Sequence, residues 1–373
     1  MGTAPSIAVI GLGQYFRKLR VGIRRFFDVA VLLDQRPESS LALDPEDVSV
    51  FQQLDLERLD ASVTARCSCI MILTPPASHL PLLERVAPHG IPVFVEKPLL
   101  TTSSHIECLL RIVESNPRIY CSDFYPDVRA LPLRWWLQED IDQEWSSLFK
   151  VRGDDQDLWQ GRSRAFGRIR SFEGRLLEGA GPVRGFEDRE WLWRPGEGGV
   201  LRDLMYHYLT LCGHICRTDL HPTEVLLSTR LDGRDVAWSP ALGLAETYAR
   251  VTGRSADGVP FVFEVGKYHK EPLNDRRFTI HFERGSASMF FEQPNHLVIR
   301  RGIDNCDVLL DGNYYEHVAK AFRMFVERDN GQPHGLKEAI SAVRAVDASF
   351  EGFKQTNRPE NARPPSVHES VMD

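Results

Sequence analysis

One short stretch of the sequence ends an apolar run on side chains that could do chemistry. In "VFVEKP" (93–98), three apolar residues run directly into Glu96, Lys97 and Pro98. A lysine ammonium at such a point can hydrogen-bond a substrate oxygen and stabilise negative charge that develops on it. Pro98 restricts the backbone of Lys97 to extended geometry, and a cis peptide bond there would aim the lysine further.

A second stretch carries a group suited to proton transfer. In "GGVLRDLMYH" (198–207), Asp203 and His207 stand four residues apart, which places both on one face of a helix. An imidazole with an ordinary pKa near 6.5 can take a hydroxyl proton at neutral pH. The pattern predicts proton transfer at an alcohol or ketone oxygen by His207. Lys97 would bond the same oxygen, and Asp203 would orient the substrate or the other groups.

The elements that must position these side chains are short buried strands. Apolar runs alternate with helical stretches along the first part of the chain, a pattern typical of a parallel sheet covered on both faces. We predict a doubly wound Rossmann-type α/β domain over residues 1–125. Its expected strands are 7–10, 29–34, 69–74, 93–96 and 118–123, with helices over 14–26 and 78–88.

The turn after the first expected strand has the composition of a dinucleotide site. In "VIGLGQYF", Gly11 and Gly13 permit a tight turn and close approach to a pyrophosphate, although Phe16 fills the usual third glycine position. Asp34 ends the second strand, where a carboxylate would bond an adenosine ribose and favour NAD. Arg36 lies two residues on and could instead hold a 2′-phosphate, so NADP stays open.

Ligands of an open α/β sheet bind outside the carboxyl ends of the strands. Thr74, Pro75 and Pro76 end one expected strand, and Glu96 and Lys97 end another. The sequence therefore predicts that charged residues follow the apolar run of 93–95 because this end of the strand faces a ligand-binding site.

The sequence pattern changes in the rest of the chain. Longer strand-like stretches after about 165 predict an α+β domain over 126–355 with a large, mostly antiparallel open sheet, and helices at 200–212 and 335–350. We expect its outer face, taken as apolar, to pack against a copy of the chain in a homodimer or homotetramer. The Pro-rich residues 356–373 predict a flexible tail.

Composition excludes several functions. The chain has 373 residues and a net charge of −7, which argues against nucleic acid or an anionic membrane as a partner. Seven cysteines without CxxC pairs and the absence of a signal or membrane-spanning segment predict a reduced, cytoplasmic protein. Histidines and cysteines crowd residues 207–221, but their spacing fits no standard zinc ligand set, so no metal is expected.

"LTPPASHLPLL…HGIPVFVEKP" and "GGVLRDLMYH" together resemble the Gfo/Idh/MocA family, over nearly the whole chain. The resemblance implies Lys97 as the catalytic lysine, with Asp203 and His207 as the acid of the motif and the general base. The sequence departs from the family pattern at Phe16, at Met205 and at Phe124-Tyr125. The residues expected to line the cofactor are Gly11, Gly13, Gln14, Tyr15, Asp34, Arg36, Thr74, Pro75, His79, Glu96 and Lys97. Those expected at the substrate are Lys97, Phe124, Tyr125, Asp203 and His207.

Three hypotheses follow. The leading one is an NAD(P)-dependent oxidoreductase that interconverts a secondary alcohol and a ketone on a sugar, amino-sugar or cyclitol, nucleotide-activated forms included. A second is a glycoside hydrolase that oxidises its substrate transiently with bound NAD. A third is a non-catalytic dinucleotide-binding scaffold.

Overall fold

The computed structural model describes residues 4–41, 43–54, 59, 65–137, 143–152, 156–160, 163–179, 191–231, 234–269, 275–292, 295–328 and 331–356. Except for its first residue, the tail predicted over 356–373 lies outside them. Two sheets dominate this part of the chain, one of six strands and one of ten.

The first sheet is parallel and has the strand order β3-β2-β1-β4-β5-β6. The order reverses between β1 and β4, which is the point where open α/β sheets bind ligands. The strands are β1 (Ser6–Ile10), β2 (Asp28–Asp34), β3 (Phe51–Gln53), β4 (Cys69–Ile72), β5 (Val93–Val95) and β6 (Ile119–Cys121). The helices of this part are α1 (Gln14–Phe26), α2 (Pro45–Val48), α3 (His79–Val86) and α4 (Ile106–Ser115).

The second sheet is antiparallel except for one parallel pair, β12 with β8, and has the order β10-β9-β11-β12-β8-β13-β14-β15-β16-β7. Its strands are β7 (Phe149–Arg152), β8 (Ile169–Gly179), β9 (Leu220–Leu231), β10 (Arg234–Ala237), β11 (Tyr248–Ser255), β12 (Pro260–His269), β13 (Asp275–Phe282), β14 (Gly285–Phe290), β15 (His296–Arg301) and β16 (Asp304–Leu310). The helices are α5 (Leu131–Trp136), α6 (Gln143–Ser146), α7 (Gln156–Gln160), α8 (Tyr206–Cys216), α9 (Tyr314–Arg328) and α10 (Leu336–Thr356). Two π-helical turns, Tyr125–Arg129 and Leu201–Met205, precede α5 and α8.

One hydrophobic cluster joins a face of the first sheet to the inner face of the second, so the two parts share a core. A second cluster lies on the opposite face of the first sheet, where α1 packs against α9. The chain thus returns to the first sheet after completing the second, and the predicted boundary at residue 125 stays a prediction. The predicted fold class, a parallel Rossmann-type sheet followed by a large, mostly antiparallel sheet, is confirmed.

The outer face of the second sheet differs from the expectation. In its described centre the outward side chains are mostly polar or charged, such as Glu173, Arg175 and Glu264, and they pair across strands. The expected apolar face is therefore wrong for this region, because alternation along β8 turns the apolar residues inward. The homo-oligomer stays a prediction.

Candidate active site

The side chains singled out in the sequence follow the carboxyl ends of the parallel strands. Gly11 follows β1, Asp34 ends β2, and Thr74 lies just beyond β4. Glu96 and Lys97 follow β5, and the amide of Glu96 donates to the carbonyl of Ile72 at 3.1 Å. The sheet thus gathers residues distant in sequence at one edge.

The glycine turn leaves room for a phosphate. Gly11 has φ +95°, and a Cβ there would lie 2.8 Å from Cγ2 of Thr74, so only glycine fits. A Cβ on Gly13 would meet nothing described within 4 Å. Gly13 precedes α1, whose first turn, starting at Gln14, carries no acidic side chain. The backbone amides of a helix's first turn and the positive end of its dipole favour an anion here.

The side chains of Phe16 and Tyr15, which follow the glycine turn, lie in different environments. The ring of Phe16 is only 2% exposed and packs in the hydrophobic cluster beneath α1, so it does not fill the turn. The hydroxyl of Tyr15 is buried without a hydrogen-bond partner among the described residues. Burial raises the pKa of Tyr15, and the nearby Glu96 carboxylate adds to the effect. An unsatisfied buried hydroxyl beside an open glycine turn fits a site that a polar ligand completes.

Asp34 is held by Arg36 and by the glycine turn. Arg36 donates from Nε to Oδ1 and from Nη2 to Oδ2, each at 3.0 Å, and the amide of Leu12 donates to Oδ2 at 2.8 Å. Burial alone would raise the pKa of Asp34, but these hydrogen bonds lower it below its ordinary value. The Arg36 side chain is 38% exposed, so it can reach a ligand as well as Asp34.

His79 supports the edge from beneath. Its ring nitrogens lie 3.0 Å from the carbonyl oxygen of Pro98 and 2.8 Å from that of Thr74. Burial lowers the pKa of His79 to about 4. The ring therefore ties the turn beginning at Thr74-Pro75 to the loop after β5. Direct contact of His79 or Pro75 with a cofactor stays a prediction.

Lys97 forms an ion pair with Asp203. Its Nζ donates to Oδ1 and to the main-chain oxygen of Asp203, both at 2.7 Å, and the Lys97–Pro98 bond is cis. A second lysine, Lys267, donates to Oδ2 of the same carboxylate. The structure thus brings Lys97 and Asp203 together and adds a cation from the second sheet.

His207 is oriented by an aspartate. Nδ1 of His207 lies 2.6 Å from Oδ1 of Asp123, and a carboxylate can only accept, so Nδ1 carries the proton in the neutral ring. Asp123 in turn accepts from the hydroxyl of Thr210 and, at 3.0 Å, from the amide of Tyr125. Nε2 has no hydrogen bond within the described part of the chain, which leaves it available as a proton acceptor.

The electrostatic surroundings keep the imidazole neutral. Burial lowers the pKa of His207, and the Lys97 ammonium lowers it further, while Asp123 and Asp203 act in the opposite direction. A neutral ring with Nδ1 occupied is the form a general base needs at neutral pH.

Asp203 lies in the π-helical turn Leu201–Met205, just before the α-helix that carries His207. The predicted shared helical face is therefore only approximate, because the wider turn precedes His207. Glu246 holds the start of this segment by accepting from the amide of Leu201 at 2.9 Å. Gly199 has φ +90°, and a Cβ there would clash with the Glu246 carboxylate, which explains the glycine at this position.

The aromatic residues after β6 lie beside the histidine. The Tyr125 ring packs 4.4 Å from the His207 ring, measured between centroids. Phe124 stacks on Tyr315 at 5.2 Å. Met205, one of the positions that depart from the family pattern, is fully buried. A role for Phe124 and Tyr125 in binding substrate stays a prediction.

Two residues of the site were not identified from the sequence. Asp123 obeys the rule that singled out Lys97, because it follows a parallel strand at the carboxyl edge, and that rule could have found it. Lys267 lies in a strand of the second sheet and reaches Asp203 only through the fold, so no local signal marks it. The described residues contain neither a cluster of three or more potential metal-ligating side chains nor a helix long and apolar enough to span a membrane.

Two family models match the chain. One, an oxidoreductase family with an NAD-binding Rossmann fold, matches residues 6–124, and the other, the GFO/IDH/MocA C-terminal domain, matches residues 161–288. The chain belongs to the GFO/IDH/MocA family of oxidoreductases. The resemblance inferred from the sequence motifs is thereby confirmed, as is an NAD-binding type of first domain.

Solved structures share the fold at low sequence identity. A 3-ketoreductase from Actinomadura kijaniata, in complex with NADP and TDP-benzene, has a TM-score of 0.71 at 15% identity, covering 94% of this chain and 98% of its own. A UDP-N-acetylglucosamine 3-dehydrogenase from Acidithiobacillus ferrooxidans has a TM-score of 0.66 at 17% identity, covering 94% and 97%. No curated protein matches the sequence significantly.

Proposed function

We propose that the protein is an NAD(P)-dependent oxidoreductase that interconverts a secondary alcohol and a ketone on a sugar, amino-sugar or cyclitol. The observation that carries the proposal is that the Lys97 ammonium, paired with Asp203, acts electrostatically on the Asp123-oriented His207 ring at the carboxyl edge of an NAD-binding sheet. The UDP-N-acetylglucosamine 3-dehydrogenase and the 3-ketoreductase with bound NADP and TDP-benzene, both of similar fold, support a sugar substrate, nucleotide-activated forms included.

The residues divide the chemistry between them. His207 takes the hydroxyl proton on Nε2 during oxidation and returns it during ketone reduction. The positive charge that forms on the ring is stabilised by Asp123 at 2.6 Å. Lys97 has two hydrogen bonds to Asp203 and directs its third N–H at the substrate oxygen, where it stabilises the alkoxide. Asp203 keeps that ammonium in place.

The cofactor would lie on the glycine turn. Gly11, Gly13 and the start of α1 would hold the pyrophosphate, and Asp34 with Arg36 would meet the adenosine ribose. A bound nicotinamide supplies hydride acceptance or donation at the substrate carbon. The exposed, bidentate Arg36 suits a 2′-phosphate, so we propose that NADP is accepted alongside NAD.

The test has two steps. Purified protein is titrated with NADH and with NADPH, and binding is followed by quenching of tryptophan fluorescence. Sugars, cyclitols and nucleotide sugars are then screened with the better cofactor by nicotinamide absorbance, using wild type, Lys97→Ala and the exposed-lysine control Lys337→Ala. We expect turnover in wild type and the control, and a loss of at least about a hundredfold in Lys97→Ala.

Three outcomes would contradict the proposal. If the protein binds neither NADH nor NADPH, it does not use a nicotinamide cofactor. Turnover that cleaves a glycosidic bond with no net change in NADH would favour the hydrolase. Equal rates in wild type and Lys97→Ala would remove the lysine from the mechanism.

A further inference from the structure

The Asp203 carboxylate is held from two sides by ammonium groups of different origin. Lys97 reaches Oδ1 from the loop after β5, and Lys267 reaches Oδ2 from β12 of the second sheet. The three side chains are 12%, 10% and 8% exposed for Lys97, Lys267 and Asp203, so water competes little for these contacts. Charge-assisted bonds in such surroundings are strong and directional.

Lys267 is delivered by a rigid element. β12 lies between β11 and β8 in the interior of the ten-stranded sheet, and the amide of Lys267 donates to the Thr247 carbonyl at 2.8 Å. The pairing with β8 runs in register up to Lys267 opposite Glu178 and shifts immediately afterwards. The backbone of Lys267 is thus fixed just before the regular pairing ends, which suits a side chain that must hold another in place.

The arrangement determines what Lys97 can do. Lys97 donates two of its three ammonium N–H groups to Asp203, one to Oδ1 and one to the main-chain oxygen. Lys267 binds Oδ2, which fixes the rotation of the carboxylate and leaves Oδ1 facing Lys97. The third N–H of Lys97 has no acceptor in the described structure and stays available for a substrate oxygen.

We propose that Lys267 is a positioning residue of the reaction: it fixes Asp203, and through Asp203 it aims Lys97 at the substrate oxygen. The inference rests on the proposed function for its catalytic consequence. It does not depend on that function for its electrostatic consequence.

The electrostatic consequence reaches His207. Among the described residues, the charged groups that act on this ring are Asp123, Asp203 and Lys97, and the uncharged Tyr125 ring packs beside it. Removing Lys267 leaves the negative charge of Asp203 less compensated, which stabilises the protonated imidazole. The pKa of His207 then rises, and the acidic limb of the oxidation rate moves to higher pH.

The kinetic test compares Lys267→Met with Lys267→Arg, which keeps a cationic donor, and with the control Lys337→Met on the exposed start of α10. We expect Lys267→Met to lower kcat by about ten- to a hundredfold with the KM for the cofactor unchanged. Its acidic limb should shift upward, Lys267→Arg should recover most of the rate, and Lys337→Met should match wild type. Should Lys267→Met fail to fold, Lys267→Gln keeps a donor without the charge and serves instead.

A second readout needs no substrate. The His207 ring is titrated by NMR in protein with labelled histidine, its signal assigned by its absence in His207→Asn. A higher midpoint in Lys267→Met supports the inference even if no sugar is turned over by wild type, an outcome that would count against the proposed function alone. An unchanged midpoint together with unchanged kcat, or with no turnover in any protein, would overturn the inference.

Discussion

Glu246 offers a stability prediction whose size follows from its burial. The side chain is 3% exposed, and burial raises its pKa from 4.5 to about 7, against the opposing hydrogen bond from the Leu201 amide. An acid that keeps its proton longer in the folded than in the unfolded state stabilises the fold most at low pH. Its contribution is complete below pH 4.5 and is lost as pH rises to about 7. The difference in pKa corresponds to about 3 kcal/mol of unfolding free energy.

Glu246→Gln keeps an acceptor for the Leu201 amide and removes the titration. We expect the unfolding free energy of the variant, relative to wild type, to increase by about 3 kcal/mol between pH 4.5 and pH 8. The assay is urea unfolding at a series of pH values, followed by tryptophan fluorescence. Buried His79 and His317, whose pKa values are lowered to about 4, change stability in the opposite sense over part of this range.

The two histidines are present in both proteins, so their effect cancels in the difference between them. Parallel curves for wild type and Glu246→Gln would refute the reasoning. They would mean that Glu246 titrates alike in the folded and unfolded states, despite its burial at the start of the segment that carries Asp203 and His207.

The remaining predictions concern the site. Asp123→Asn should lower kcat by about a hundredfold or more without loss of fold, because an amide can donate to Nδ1 and favour the wrong His207 tautomer. Circular dichroism checks the fold of the variant, and a kcat near that of wild type would contradict the prediction. Arg36→Ala should weaken NADPH about tenfold or more and leave NADH binding nearly unchanged, since Asp34 is then free for the ribose; equal losses for both, by fluorescence titration, would exclude a phosphate role. Gly11→Ala should destabilise the fold by about 1–3 kcal/mol and abolish cofactor binding. A thermal melt and an NADH titration check this, and an unchanged melting temperature with normal binding would mean that the turn tolerates the methyl group.

The first sheet could be predicted because its signals are local. Short apolar runs that end in polar residues indicate buried parallel strands, and β1, β2, β4, β5 and β6 lie where those runs stand. Helix α9 was not anticipated, and its packing on α1 depends on contacts between residues about 300 positions apart, such as Arg25 with Glu316. No local pattern reports such a contact.

The site divides in the same way. Lys97, Asp203 and His207 belong to two recognisable sequence motifs, and the presence of both motifs in one chain predicts that these residues share a site. Asp123 was visible only as the end of a strand, and its bond to His207 spans 84 positions. No local pattern in the sequence marks Lys267, because its contact with Asp203 depends on how the turn Leu201–Met205 packs against β12. Phe16 stands where the motif usually has its third glycine, and its side chain lies in the core because α1 packs on the sheet.

The most direct test of the central claim is the fate of the hydride. Protein is incubated with NADPH or NADH deuterated at nicotinamide C4 and with a panel of keto-sugars and their nucleotide-activated forms, and products are analysed by mass spectrometry and NMR. The account predicts deuterium on a single ring carbinol carbon of the product in wild type, strongly reduced in Lys97→Ala and in His207→Asn. Cofactor binding with no deuterium in any product, or transfer that both variants perform as well as wild type, would contradict it.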